Sequence, residues 1–160
     1  LASLLLAGCG FQPLLGRQSS DNVVVDELAA IRIASIPDRA GQILRNELLD
    51  NLTPRGNVVP VRYVLTIRLQ EPRQTIALRR DDIISRSSYA AVASFELSDR
   101  DGRKIAAGSS TFSTDYEITV SEFATRMSLE DARVRVLGLV AGDIRNQLAL
   151  ALTRARTPGG

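Results

Sequence analysis

The chain has 160 residues, 44% of them hydrophobic and 24% charged, which suits one globular domain with a single core and excludes a disordered chain. A formal net charge of +2 is too small for the concentrated basic face of a nucleic-acid binder, although the positive charge is nearly all Arg, with Lys104 the single lysine. With no His and one Cys, the commonest general base and metal ligand is missing, and no internal disulfide, zinc cluster or CxxC pair can form.

The first residues, Leu1-Ala-Ser-Leu-Leu-Leu-Ala-Gly-Cys9, end an apolar run in small residues followed by the only cysteine. Residues 1–8 are expected to be the remnant of a signal peptide, too short for the roughly 20 residues a membrane-spanning helix needs. Leu6-Ala7-Gly8-Cys9 is similar to the lipobox of bacterial lipoproteins. That likeness implies diacylation of the Cys9 thiol and acylation of the new amine. Each buried methylene contributes about 0.8 kcal/mol, so one chain holds marginally and two or more hold firmly. Gly10, where inner-membrane lipoproteins usually carry Asp, implies sorting to the outer membrane. Gly10, Pro13, Gly16 and the run Arg17-Gln-Ser-Ser-Asp-Asn22 make residues 9–29 the lipidated N-terminus and a tether, part of which can pack.

A single domain is expected over residues 30–153. Ile31 and Ile33 share one face of a strand near 30–36, which Pro37 stops. From Asp38 to about Leu52, Ala40, Ile43, Leu44, Leu48 and Leu52 form one helical stripe. Val61, Tyr63, Leu65, Ile67 and Leu69 alternate along the next strand. A short strand at about 74–78 precedes the polar insertion Arg79-Arg80-Asp81-Asp82. Tyr89, Ala91, Ala93, Phe95 and Leu97 mark a long strand over about 87–97, and Asp99-Arg-Asp-Gly102 turns it into a partner over about 104–114. Ser128-Leu-Glu-Asp131 has the capping-box form and opens a last helix to about Leu152, with residues 154–160 a disordered tail. The expected fold is α+β, in the order β-α-β-β-β-β-α, with two helices on one face of a mostly antiparallel sheet of four to five strands.

No P-loop, GxGxxG, HExxH, GxSxG or CxxC occurs. Lys104 sits beside a hairpin turn among charges, a poor place for a catalytic lysine, and the Asp81-Asp82 and Asp99/Asp101 pairs lie in turns. A non-enzymatic protein without cofactor or metal is the expectation.

Six segments carry a family resemblance. They are Cys9-Gly-Phe-Gln-Pro-Leu-Leu-Gly16, Gln42-Ile-Leu-Arg-Asn-Glu-Leu, Tyr63-Val-Leu-Thr-Ile, Ser88-Tyr-Ala-Ala-Val-Ala, Phe112-Ser-Thr-Asp-Tyr116 and Asp143-Ile-Arg-Asn-Gln-Leu-Ala-Leu150. Together they resemble the LPS-assembly lipoprotein LptE family in its alphaproteobacterial form, with Leu15 where an aromatic is more usual. The resemblance implies a non-catalytic subunit of the outer-membrane lipopolysaccharide translocon that plugs the β-barrel LptD, assists its assembly and contacts lipopolysaccharide. It also implies Arg79, Arg80 and Arg126 as contacts for lipopolysaccharide phosphates, which Arg grips through a planar fork. A solvated loop in which Asp81 and Asp82 neutralise the first pair is the competing reading. The rival function is an adaptor or auxiliary subunit of another envelope lipid-transport system of ABC type.

Overall fold

A computed structural model of the chain describes residues 18–53, 59–72 and 85–156. The elements run α1 (Gln18–Ala29), β1 (Ile31–Ile33), α2 (Asp38–Leu52), β2 (Tyr63–Gln70), β3 (Ser85–Asp99), β4 (Lys104–Ile118) and α3 (Glu122–Arg156). The α+β class is observed. The strands form one mixed sheet in the order β1-β2-β3-β4. Its single parallel pair, β1 with β2, follows from α2 crossing between them. The strand expected near 74–78 and the insertion at 79–82 lie outside the described residues.

Alternation fixes which face is buried. Leu65 stands opposite Leu97 and Ile67 opposite Phe95, while Ala91 meets Phe112 and Phe95 meets Gly108. These residues face the helices, and Leu44 and Leu48 of α2 join Val136, Leu137, Val140, Ile144 and Leu148 of α3 in the same core. Both helices therefore lie on one face. Thr66, Arg68, Ser94, Glu96, Thr111 and Ser113 occupy the other face and are exposed.

The boundaries differ most from the sequence expectation towards the two ends of the chain, while β4 runs four residues past the expected 114. The segment read as tether includes a helix, α1, whose Leu28 is buried in the core. Three consecutive valines, Val23 to Val25, are poor helix formers, so tertiary contacts rather than local preference hold it. Glu27, 8% exposed, accepts from Arg62 at 2.9 Å and from the Tyr63 hydroxyl at 3.0 Å, tying α1 to the entry of β2. The last helix begins six residues earlier than Ser128 and continues to Arg156. Its cap is Ser121, whose Oγ accepts from the Ala124 N–H at 3.3 Å. Ser128 instead accepts the backbone N–H of Glu117 at 3.1 Å, closing part of the outer edge of β4.

In the β3–β4 hairpin two positions call for glycine. Gly102 adopts φ +80 in the β3–β4 turn. At Gly108 a Cβ would meet the Phe95 ring at 2.8 Å and Gln147 Oε1 at 2.5 Å, so α3 lies this close to the sheet only over glycine. Ser110 is 3% exposed and its hydroxyl has no partner among the described residues.

Two variants separate packing from polarity. Leu48→Ala or Leu148→Ala should cost about 2–5 kcal/mol in denaturant unfolding, because each leaves a cavity in a closed core. Ser110→Ala should be neutral or raise stability by about 1 kcal/mol, since it removes an unpaired buried hydroxyl. A loss of stability in Ser110→Ala would mean that the hydroxyl has a partner in the folded protein.

Candidate functional site

Of the residues picked out from sequence, Cys9, Arg79 and Arg80 lie outside the described residues. Arg126 is described and is exposed in the second turn of α3, one turn after the exposed Glu122. The segment that carries Arg79 and Arg80 leaves after Pro72 and returns at Ser85, which pairs with Ile118 at the end of β4. Its point of return and Arg126 thus belong to one end of the sheet.

That end is organised by a polar chain that joins α2, β3 and α3 to Glu71, the residue after β2. The Tyr89 hydroxyl donates to Glu71 Oε1 at 2.6 Å, and Arg133 Nε donates to the same oxygen at 3.0 Å. Arg133 also donates to Glu130 at 2.7 Å and lies over the Tyr89 ring, 5.5 Å from its centroid. Glu130 in turn meets Arg39 of α2 at 3.6 Å. Burial, then the hydrogen bond and charge of Glu71, push the Tyr89 phenol well above its ordinary range, against the opposing pull of Arg133. Burial works against the Arg133 charge, but Glu71, the Tyr89 hydroxyl and Glu130 outweigh it and push that pKa up. The network pins the exit of β2 to α3.

Beside it, the turn between β4 and α3 is a hydrogen-bonded knuckle. The Thr119 N–H donates to Thr125 Oγ1 at 2.9 Å, and that hydroxyl donates back to the Thr119 carbonyl at 3.2 Å. Thr119 Oγ1 donates to the Ser121 carbonyl at 3.1 Å, and the Thr125 N–H reaches the same carbonyl at 3.0 Å. This frame presents Val120, 93% exposed, Phe123, 72% exposed, and Met127 to solvent. A shallow groove of about 590 Å³ continues from Met127 between α2 and α3, lined by Arg39, Ile43, Glu130, Asp131 and Val134 among others.

The opposite end of the sheet carries a cleft of about 380 Å³ with Arg62, Arg100 and Arg103. Each guanidinium is already engaged: Arg62 by Glu27, Arg100 by the Val61 carbonyl and Arg103 by Asp99. The Asp99 carboxyl is held below its ordinary value, first by the Arg103 backbone N–H and then by that residue's guanidinium. Lys104 is exposed and pairs with Glu96 at 3.1 Å, a surface ion pair. Among the described residues no group of three or more Asp, Glu, His or Cys could hold a metal, and no helix is long and apolar enough to cross a membrane.

The sequence reading missed Glu71 and Arg133, whose pairing joins positions 62 residues apart and leaves no local trace. It also passed over Val120 and Phe123. Ser121 followed by Glu122 is itself a capping signal, overlooked because Ser128-x-x-Asp131 has the fuller pattern.

No family model and no curated protein matches the sequence. Solved structures do match. A candidate lipoprotein of Caulobacter crescentus superposes with a TM-score of 0.72 at 25% identity, covering 86% of this chain and 99% of that one. The minor lipoprotein of Acinetobacter baumannii gives 0.57 at 18% identity, over 78% of this chain and 93% of its own. Rare lipoprotein B of Shewanella oneidensis gives 0.57 at 13% identity, over 79% and 97% respectively. The last two share the fold alone. The Caulobacter likeness supports a lipoprotein of this fold.

The Tyr89 network sets a pH dependence. Above about pH 10 the unfolded chain's phenol ionises while the folded one stays protonated. The stability from the neutral phenol is therefore fully present below that pH and is lost as pH rises past it. Unfolding curves between pH 8 and 11 should show a steeper alkaline loss for the wild type than for Tyr89→Phe. Parallel curves would show that the hydroxyl does not stay protonated.

Proposed function

We propose that the chain is a non-catalytic, lipid-anchored lipoprotein of the outer membrane that serves the lipopolysaccharide translocon. In this role it plugs an LptD-type β-barrel, assists its assembly and contacts lipopolysaccharide on its way to the cell surface. The observation that carries the reading is the fold shared with the Caulobacter protein along nearly its whole length. The lipobox-like Leu6-Ala7-Gly8-Cys9 supports the anchor and the translocon resemblance of the six sequence segments supports the role.

Arg79, Arg80 and Arg126 stand as the proposed phosphate contacts. Once desolvated against phosphate, each contact is worth about 1.5–3 kcal/mol, whereas an exposed, screened Arg contributes under about 1 kcal/mol. Arg126 is exposed, so it gains the larger value only where the bound ligand or the barrel excludes water.

A native pull-down of the lipidated protein from detergent-solubilised membranes should recover a large β-barrel in about one-to-one ratio. Recovery of an ABC-type transporter instead would move the protein to that system. Mass spectrometry should find acylated Cys9 at the mature N-terminus, and Cys9→Ala should abolish the acylation; a free thiol on the native product would overturn the anchor. Lipopolysaccharide binding should fall roughly a hundredfold when Arg79→Glu is combined with Arg80→Glu, less strongly for Arg126→Glu, and more steeply at low salt. Unchanged affinity in folded variants would remove these arginines from the site.

A further inference from the structure

β4 is an edge of the sheet, with β3 on one side and no strand on the other among the described residues. The Ser109 carbonyl accepts from Gln147 and the Glu117 N–H donates to Ser128, so the odd-numbered residues of this stretch direct their main-chain groups outward. The same alternation turns out the N–H and C=O groups of Thr111, Ser113 and Asp115. All three residues are exposed, and no described residue bonds to these groups. α3 thus closes the edge at two points, four residues to either side of Ser113, and leaves the stretch between them open.

We propose that this stretch is a self-pairing edge, through which two copies of the chain join their four-stranded sheets into one continuous sheet of eight. The inference concerns the chain by itself and does not rest on the translocon reading.

Symmetry selects a second copy over any other strand. An antiparallel copy turned about a two-fold axis at Ser113 sets Ser113 opposite its counterpart and Thr111 opposite Asp115. Outward residues that face each other in this way exchange both bonds. Every free N–H and C=O of the stretch then has a partner, and pairing stops at two copies. Charge agrees. On the exposed face Asp115 comes beside the Thr111 hydroxyl and Glu117 beside Ser109, so no carboxylate of one strand meets a carboxylate of the other. The helix above is centred on the same axis. Ser128, Leu139 and Leu150 are eleven residues apart in turn, about three helical turns, so they line the side of α3 that reaches the edge. Leu139 and Leu150 are 52% and 58% exposed. The midpoint of α3 between its two anchors is level with Ser113, which puts Leu139 about 2 Å along from the axis, beside its counterpart. Arg135, paired with Asp131, comes level to within about 5 Å with Asp143 of the second copy. Strands about 4.8 Å apart under helices about 10 Å apart place α3 between β3 and β4. The two copies of α3 then lie about 9 Å apart across the junction, an ordinary packing distance.

The test uses the full lipidated chain in detergent, with micelles in excess over protein. Sedimentation should show a monomer–dimer equilibrium. Ser113→Lys sets two ammonium groups face to face on an exposed edge and should raise the dissociation constant at least about tenfold. The circular dichroism of the monomer should stay unchanged. Introduced cysteines read the register. Under mild oxidation, above the wild-type background, Ser113→Cys should crosslink to itself at least about tenfold faster than Thr111→Cys or Asp115→Cys alone, because hydrogen-bonded partners lie about 5.5 Å apart at Cα. A mixture of Thr111→Cys and Asp115→Cys chains should form the crosslink that neither forms alone. A wild type that stays monomeric up to about 0.1 mM would overturn the proposal. So would a dimer untouched by Ser113→Lys, or cysteines that crosslink equally at all three positions.

Discussion

The structure depends on the match between a long helix and the strand beneath it. Thirty-five residues of α3 span about 52 Å, and fifteen residues of β4 span about 50 Å, so the two run together along their full length. The match holds within the pair as well. Ser128 bonds to Glu117 and Gln147 to the Ser109 carbonyl. The nineteen helical residues between those contacts rise about 28 Å, and the eight strand residues cover about 27 Å. This alignment seats Leu137, Val140, Ile144 and Leu148 on the sheet and makes Gly108 obligatory. It also brings polar side chains of α3 to the outer edge of β4. An edge strand this long is a template for unwanted pairing, and a helix that bonds to its free groups reduces the hazard.

Local patterns made the middle of the chain legible. The expected helix from Asp38 to Leu52 coincides with α2 because Pro37 blocks helix before it and one apolar stripe runs its length. The alternation of Tyr63, Leu65, Ile67 and Leu69, and of Tyr89 through Leu97, reported both strands and their buried face. The Asp99–Gly102 turn was equally clear, since Gly102 supplies the positive φ and Asp99 accepts the N–H groups of Asp101 and Arg103. The ends were less legible for physical reasons. In α1 a run of β-branched residues hides a helix that depends on Glu27 reaching Arg62 and Tyr63. At α3 a polar motif with capping form serves the neighbouring strand instead of the helix start.

The functional part divides differently. The residues around Cys9 resemble a lipoprotein processing signal, and a signal of that kind is read from the chain before it folds, so sequence is its natural medium. The residues that shape the described surface are a product of three-dimensional assembly. Glu71, Tyr89 and Arg133 come from separate parts of the chain, and only their convergence sets the phenol against a carboxylate and the guanidinium over the ring. Val120 and Phe123 read in sequence as ordinary apolar residues. Their exposure becomes visible only in the folded chain.

The parallel pairing of β1 with β2 has a kinetic side. β3, β4 and α3 are consecutive, occupy residues 85–156 and meet through a tight turn and one knuckle, so their contacts close over short loops. β1 must wait for α2 to cross and for β2 to be held by β3 before it has a place to pair. Short-range closure is fast and long-range closure slow, which makes the C-terminal half the natural folding nucleus and the N-terminal half the part that adds to it. A chain delivered N-terminus first thus presents Ile31, Ile33, Leu44 and Leu48 to its surroundings before the surface that buries them exists.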